Sequence, residues 1–506
     1  MEAAAELSEI QYFYKNKSVL VTGVTGFLGK LVLEKVLRKL PVKTVYVLVR
    51  SKDGQTAEER CSVIFDSLAF GPMKRIDQEF FKKVVLIEGD LGKPDLGLSQ
   101  ADRKLIQNEI EVVFHCAAAT KLNESLLNAT NVNVRGTKLL VELAKEMNAL
   151  KAFVFVTSVY SNFPLYEIHE KYYDAKVTAE KLLKLTDGMR SEADASKLAE
   201  ELLTDWPNAY TFTLNVAEDY LKKEGDKLPL CIIRPSLLLP SVEEPVTGFT
   251  DSMAGLSADT AHYALGVTRV NYYQSGTIDA VPVDYVVNLI IASGWYAGLQ
   301  KMRLKRGDLQ STGTNIYHCI SSQEKPITKD EWFGIVHTEL RDVPSSKMIQ
   351  LPMQINTACY YNYKFLTFIL HTCMAFLCDT GLKLAGKQPS IVKMYDKIHE
   401  AQEMFSPYLF REWYLSNDNT QKLLKRMSFK DRDLFKFDII ELNWQSYFVN
   451  YVKGIRVYLL KDPMSTLTEG RERQRRKLNI QLVSAAVLAV IIYVISKFLL
   501  FRVFLR

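Results

Sequence analysis

Ser18-Val-Leu-Val-Thr-Gly-Val-Thr-Gly-Phe-Leu-Gly-Lys30 decides the fold. The β-branched run Val19-Leu20-Val21 delivers three glycines, Gly23, Gly26 and Gly29, and Leu31-Val-Leu-Glu-Lys-Val-Leu-Arg38 follows with apolar residues at helical spacing. The stretch reads as strand, tight turn and helix. Glycines there let backbone N–H groups approach a pyrophosphate, whose charge sits at the positive end of the helix. A glycine triplet alone carries little weight; the flanking strand and helix give it the required context. Thr22, Gly23, Thr25, Gly26, Phe27, Leu28 and Gly29 are the expected cradle of a dinucleotide.

Working outward, Thr44-Val-Tyr-Val-Leu-Val-Arg50 reads as a second parallel strand. Sites that prefer NAD place a carboxylate near this point to hold the ribose 2′-hydroxyl, whereas Arg50, Ser51 and Lys52 suit the 2′-phosphate of NADP. Lys83–Leu91 gives a third strand, with Asp90 and Leu91 placed to border an adenine, and Glu111–Ala119 a fourth, ending in small residues that include Ala117. Asn131–Thr137 leads into a helix through Met147, and Ala152–Ser158 is a fifth strand carrying Thr157 and Ser158 at its C-terminal edge, where open α/β sheets bind ligands. The alternation predicts an α/β fold with a doubly wound parallel sheet. Phe163–Asp205 is a charged, helix-prone insertion expected to cover the substrate cleft. A helix from Asp205–Thr213 to about Glu224, a buried strand over Pro229–Pro235, and a helix starting in Ala280–Asn288 with Asp284 near its first turn follow.

The chain has 506 residues, enough for two folded units, and its 48% hydrophobic and 24% charged content excludes wholesale disorder. A formal charge of +6, partly clustered near the C-terminus, points to no nucleic-acid partner. Seven scattered cysteines read as buried free thiols in a reducing compartment, with no zinc-binding spacing. Met1–Glu9 is no cleavable signal, being acidic and alanine-rich. Leu478–Leu500 is nearly all apolar and Arg471-Glu-Arg-Gln-Arg-Arg-Lys477 precedes it, so the expectation is a tail anchor that leaves the body in the cytosol. Tyr360–Cys378 is apolar but interrupted by Lys364 and His371; a helix touching membrane or acyl chain and an ordinary buried helix both fit.

Thr22–Gly29, Glu88–Leu91, Val112–Thr120, Asn131–Thr137, Val156–Asn162, Asp205–Thr213, Ile233-Arg-Pro-Ser236, Pro282–Asn288 and the run around Asn443–Tyr458 together resemble, in family order, the fatty acyl-CoA reductases, a branch of the extended short-chain dehydrogenase/reductases. The resemblance implies reduction of a long-chain acyl-CoA by two NADPH, through an aldehyde, to a primary alcohol. It implies Asn133, Arg234 and Pro235 at the cofactor, Tyr210 as the catalytic tyrosine and Thr157 and Ser158 as its hydroxyl partners. It also sets expected divisions: an N-terminal segment 1–17, a reductase domain 18–347, a helical C-terminal domain 348–460, a basic linker 461–477 and a transmembrane anchor 478–501.

Hydride delivery to a thioester builds charge on its oxygen, so a hydroxyl donor is needed there, and a lysine one helical turn after the tyrosine holds the phenol pKa below about 10. Here that position is Leu214. Lys222 and Lys223 lie on the order of 12 Å further along a helix. Phe155 stands where many relatives have histidine. A true Tyr-x-x-x-Lys, Tyr172 to Lys176, falls in the insertion and stays open as an alternative pair. A slowed NADPH-dependent reductase and a catalytically silent relative that binds cofactor or acyl-CoA therefore compete; a sterol or nucleotide-sugar dehydrogenase fits the C-terminal half poorly. Endoplasmic reticulum and peroxisome are both compatible with basic residues on both sides of the tail.

Overall fold

Seven short β-branched and aromatic runs form one parallel sheet: β1 (Ser18–Thr22), β2 (Thr44–Val49), β3 (Val84–Glu88), β4 (Val112–His115), β5 (Ala152–Val156), β6 (Leu230–Pro235) and β7 (Ile316–Cys319). The computed structural model describes residues 6–189, 191–225, 228–307 and 315–504. The spatial order is β3-β2-β1-β4-β5-β6-β7. β1, β4, β5, β6 and β7 are buried at every position, as a sheet covered by helices on both faces requires, while the edge strand β3 is half exposed. Thr22 is paired with Leu48 on one side and His115 on the other, and the chain leaves β1 toward β2 but returns at β4. The reversal opens a crevice at the C-terminal ends of β1 and β4, where such sheets bind their ligands. The doubly wound parallel sheet expected from the alternation is present, with β7 added beyond it.

Four helices serve the site. α1 (Phe27–Lys39) follows β1, α2 (Gly136–Lys145) follows β4 after a π turn over Thr130–Arg135, and α3 (Ala209–Glu224) follows β5. α4 (Val283–Lys305) is buried from Val283 to Trp295. Asp284 sits in its first turn, where its carboxylate accepts the N–H groups of Val242, Glu243 and Glu244 at 3.0, 2.9 and 3.2 Å, so it fixes a loop. The insertion after Phe163 holds two helices, Ala179–Asp187 and Glu192–Leu202. Before β1, a short capped helix places Tyr14 in the core, with its hydroxyl donating to Ile291 O at 2.8 Å.

The chain makes two compact units, each assembled from separated segments: residues 1–250, 274–329 and 398–447 in the first, and 251–273, 330–397 and 448–506 in the second. The serial division at 347/348 thus marks a change of sequence character; residues 398–447 belong with the sheet. In the second unit Trp332 packs edge-on against Phe448 and Tyr451, with ring centroids 4.7 and 5.7 Å away. A buried Arg456–Asp462 pair at 3.1 Å ties its C-terminal segment together. α5 spans Tyr360–Leu384 and α6 Leu467–Phe504. The expected anchor 478–501 falls on α6, and many of its side chains lie outside the described residues. Of the seven thiols, Cys61, Cys231 and Cys319 are buried, whereas Cys359 and Cys378 are exposed, which corrects the expectation of uniformly buried cysteines.

Gly29 is the tightest point of the β1–α1 joint: a Cβ there would stand 2.3 Å from Gly23 O and 2.6 Å from Gly23 C. Gly29→Ala is expected to cost about 1–3 kcal/mol through forced backbone displacement. Gly334→Ala, which meets nothing within 4 Å on a helix, should be neutral or stabilising by up to about 1 kcal/mol. Denaturant midpoints of the two variants check the contrast.

Candidate active site

The glycine turn divides its work. Gly23 has φ +78°, and a Cβ there would lie 2.7 Å from Ala117 N, so only glycine lets β1 pass this close to the end of β4. Gly29 brings α1 down onto Gly23. Gly26 is the N-cap of α1; no side chain caps it, and a Cβ there would meet only Gly23 O, at 3.3 Å. Thr25 and Gly26 are exposed at the crest, and Phe27 and Leu28 are half-buried in the first helical turn. An uncapped N-terminus on a 13-residue helix at a sheet switch point fits a dinucleotide pyrophosphate.

Behind the turn, His115 is buried and bridges Thr22 Oγ1 at 2.8 Å and Thr137 Oγ1 at 3.1 Å. Burial lowers its pKa to about 3, so it is neutral. Thr22 Oγ1 also accepts the Ala117 N–H at 3.2 Å; this hydroxyl, expected among the cofactor ligands, is spent on joining β1 to β4. Asn133 receives the Ala119 N–H at 2.7 Å and donates to Thr213 Oγ1 at 2.9 Å, so it clamps the loop after β4 to α3. At the ends of β2 and β3 Arg50 is partly exposed, with Nη1 3.5 Å from Asp90 Oδ2, and Asp90 Oδ1 accepts the Gly92 N–H at 3.0 Å. Leu91 is buried where α2 crosses; a Cβ on Gly136 would lie 2.7 Å from Leu91 Cβ.

At the C-terminal end of β5 the structure separates the two expected hydroxyls. Ser158 lies near enough to Tyr210 to lower the phenol's pKa, and its Oγ donates to Pro235 O at the end of β6 at 3.4 Å and accepts the Tyr160 N–H at 3.2 Å. Thr157, expected to stand with it, turns away and donates to Glu218 Oε1 at 2.8 Å. Ser161 donates to the same oxygen at 2.8 Å. Arg234, expected at the cofactor, is fully buried and closes this network: its Nε donates to Glu218 Oε2 at 3.0 Å, its Nη2 also pairs with that oxygen, and it donates to the carbonyls of His169 and Lys171 at 3.1 Å each. The strand period explains the reversal. Adjacent residues of a strand point to opposite faces, and on β6 Arg234 takes the inward one.

Tyr210 opens α3 behind Asn208, whose side chain accepts the Thr211 N–H at 3.0 Å. Burial, the Tyr408 phenol and, in the opposite sense, the Ser158 hydrogen bond set its acidity, with the net effect a pKa raised above the ordinary tyrosine value. Leu214, one turn on, is 1% exposed and packs into the core beneath the sheet. The alternative pair does not form a helical turn. Residues 171–176 are irregular, and the Lys176 ammonium is held by Thr204 Oγ1 at 2.7 Å and Leu202 O at 3.3 Å. Lys222 and Lys223 pair with Asp174 and Asp219, at 2.6 Å each. Tyr408 is the site neighbour that sequence reasoning missed: it accepts from Asn208 Nδ2 at 2.9 Å and packs edge-on against Tyr160 at 5.1 Å. Nearly two hundred residues separate it from Tyr210, and no motif announces it.

The fold and this crevice define a chain of the extended short-chain dehydrogenase/reductase type, with a crevice that suits a dinucleotide. Two domains of the male sterility protein family match the chain, over residues 21–290 and 370–462. The chain is 32% identical over 476 residues to fatty acyl-CoA reductase 2 of Bos taurus, covering 94% of this chain and 90% of that one. It is also 32% identical over 473 residues to fatty acyl-CoA reductase wat of Drosophila melanogaster, with 93% and 89% covered. It belongs to the fatty acyl-CoA reductase family. Among solved structures the terminal R domain of the myxalamid PKS-NRPS pathway shares the fold with a TM-score of 0.56 at 20% identity, covering 89% of this chain and 93% of that one. The reductase domain of a nonribosomal peptide synthetase from Mycobacterium tuberculosis does so with 0.56 at 19% identity, covering 88% and 92%.

Removing one member of a buried ion pair leaves the other charge uncompensated. Glu218→Ala is therefore expected to cost about 3–5 kcal/mol of stability, with Glu218→Leu/Arg234→Met recovering most of it. Denaturant titration decides; a loss below about 1 kcal/mol for the single variant would show that the network does not hold β5, β6 and α3 together.

Proposed function

We propose that this chain reduces a long-chain fatty acyl-CoA with NADPH to the primary alcohol. The observation that carries the reading is that Ser158, after the C-terminal end of a central strand of the sheet that carries the glycine turn, and Tyr210, in the first turn of α3, stand near enough for the serine to lower the phenol's pKa. Bound along that turn, NADPH supplies a hydride. Ser158 and Tyr210 donate hydrogen bonds to the oxygen on which charge develops, and the phenol provides the proton. Two such rounds, each consuming one hydride and one proton, take the thioester to aldehyde with release of the thiol, and the aldehyde to alcohol.

Reduction needs the phenol protonated, and a raised pKa keeps it so across the physiological range. The cost is a weaker acid, and losing lysine assistance removes roughly 10²- to 10⁴-fold of rate. A second reading, a silent protein that binds cofactor or acyl-CoA, draws on one observation: the lysine position is a buried leucine. Arg50 at the end of β2 supports NADPH over NADH. The basic run ahead of the apolar part of α6 supports a membrane anchor with the body in the cytosol, at the endoplasmic reticulum or peroxisome.

Leu214→Lys is expected to raise acyl-CoA-dependent NADPH oxidation at least about tenfold, since an ammonium one turn from Tyr210 stabilises its phenolate. The same change should move the alkaline fall of the rate to lower pH, whereas the wild-type rate stays flat to about pH 10, the ordinary tyrosine value. Tyr210→Phe should abolish turnover; retained turnover refutes the site, and no turnover by wild type or Leu214→Lys at any chain length establishes the silent reading. Arg50→Ala should weaken NADPH at least about tenfold more than NADH, in line with loss of a charge-assisted contact to phosphate. Equal losses refute the assigned preference.

A further inference from the structure

α5 in the second unit is inverted relative to a helix on a water-facing surface. Its buried positions are Tyr363, Thr367, His371, Ala375 and Asp379, mostly polar or small, none more than 7% exposed. Large apolar side chains dominate its outward side, with Asn362, Lys364, Thr380 and Lys383 among them: Tyr361 is 82% exposed, Phe376 64% and Leu384 87%, and Phe365, Phe368 and Leu377 are each more than half exposed. The inward polar groups have partners. His371 Nε2 accepts the Arg269 N–H at 3.2 Å and its ring stacks on Tyr395 at 5.0 Å. Asp379 accepts the N–H groups of Ser390, Ile391 and Val392, at 3.0 Å each. Tyr363 stacks on Tyr272 at 4.7 Å.

Four-residue steps drift about 40° each on an ideal α-helix. The five inward residues stay on one side because Phe368–Cys373 winds as a wider π turn. The buried seam therefore runs almost the whole length of α5 and leaves a predominantly apolar side outward. Exposed apolar surface of this extent marks a contact site.

The geometry points to a bilayer surface as the occupant: we infer that α5 lies in the plane of an anionic lipid interface, with its outward face in the acyl-chain boundary. At 25 residues the helix is long and apolar enough to cross a membrane. Its inward seam, buried at five successive turns, precludes lipid on all sides, which leaves the in-plane arrangement. Charge selects the kind of surface. Lys364, Lys383 and Lys387 are exposed at the two ends, and Asp379, the one carboxylate between Tyr360 and Lys387, is turned inward. Cations flanking an apolar stripe suit phosphate and carboxylate headgroups. This contact is separate from the C-terminal helix and from turnover.

Cys378, exposed beside Leu377, reports on it. The full chain is reconstituted in vesicles of phosphatidylcholine and phosphatidylserine, and Cys378 is alkylated with a membrane-impermeant maleimide and quantified by peptide mass spectrometry. In wild type the reaction should be at least about tenfold slower than in Phe365→Glu/Phe376→Glu, whose substitutions lie on the exposed face and leave the inward seam intact. In a second variant, Lys364→Glu/Lys383→Glu/Lys387→Glu, protection should fall on the anionic vesicles and be unchanged on pure phosphatidylcholine. Equal rates in wild type and both variants overturn the inference. So does protection that persists in lipid-free amphipol and grows with protein concentration, which would assign the face to a second copy of the chain.

Discussion

Three backbones meet at the end of β1 with no room for a side chain. Gly23 lies against the start of the loop after β4, and Gly29 carries α1 down onto Gly23. Thr22, His115 and Thr137 lock the same point from behind by hydrogen bonds among neutral groups. This close approach sets the path of α1, and with it the uncapped N-terminus at the crevice. Other features of the site are measured from that fixed corner: β5 and β6 extend the sheet away from it, and α3 crosses at the far end with Tyr210 in its first turn.

The far end is held differently. A single carboxylate, Glu218, two turns along α3 from Tyr210, gathers Thr157 and Ser161 from the end of β5 and Arg234 from β6. A buried pair of this sort is a poor source of net stability, yet losing either partner strands a charge. It explains why the Thr157 hydroxyl is taken up by Glu218 and Ser158 is not. It also shows how the site's architecture can persist around Leu214: the residues that fix Tyr210 in place are distinct from the one that would tune its acidity.

Most of the sheet was legible in the sequence because parallel strands buried on both faces read as continuous β-branched runs between glycine, proline and polar breaks. β7 was missed: Ile316–Cys319 is only four residues long, and nothing in its neighbourhood marks a crossover. The glycine turn and Tyr210 could be placed because their chemistry is local. Thr157 and Arg234 were assigned to the site by motif, and the buried Glu218 carboxylate takes up both. The threading of residues 398–447 into the first unit, which sets Tyr408 beside Tyr210, leaves no local trace at all.

The amino-acid sequence alone determined the sheet, the tight glycine bend between β1 and α1, the family and the leucine at position 214, since each depends on residues within a few positions of one another. Tertiary structure alone decided which hydroxyl faces Tyr210, what neutralises Arg234 and which side of α5 meets its surroundings. The reason is common to all three. A side chain's direction depends on the elements packed against it, and for α5 composition shows an apolar face without showing whether that face turns inward or out.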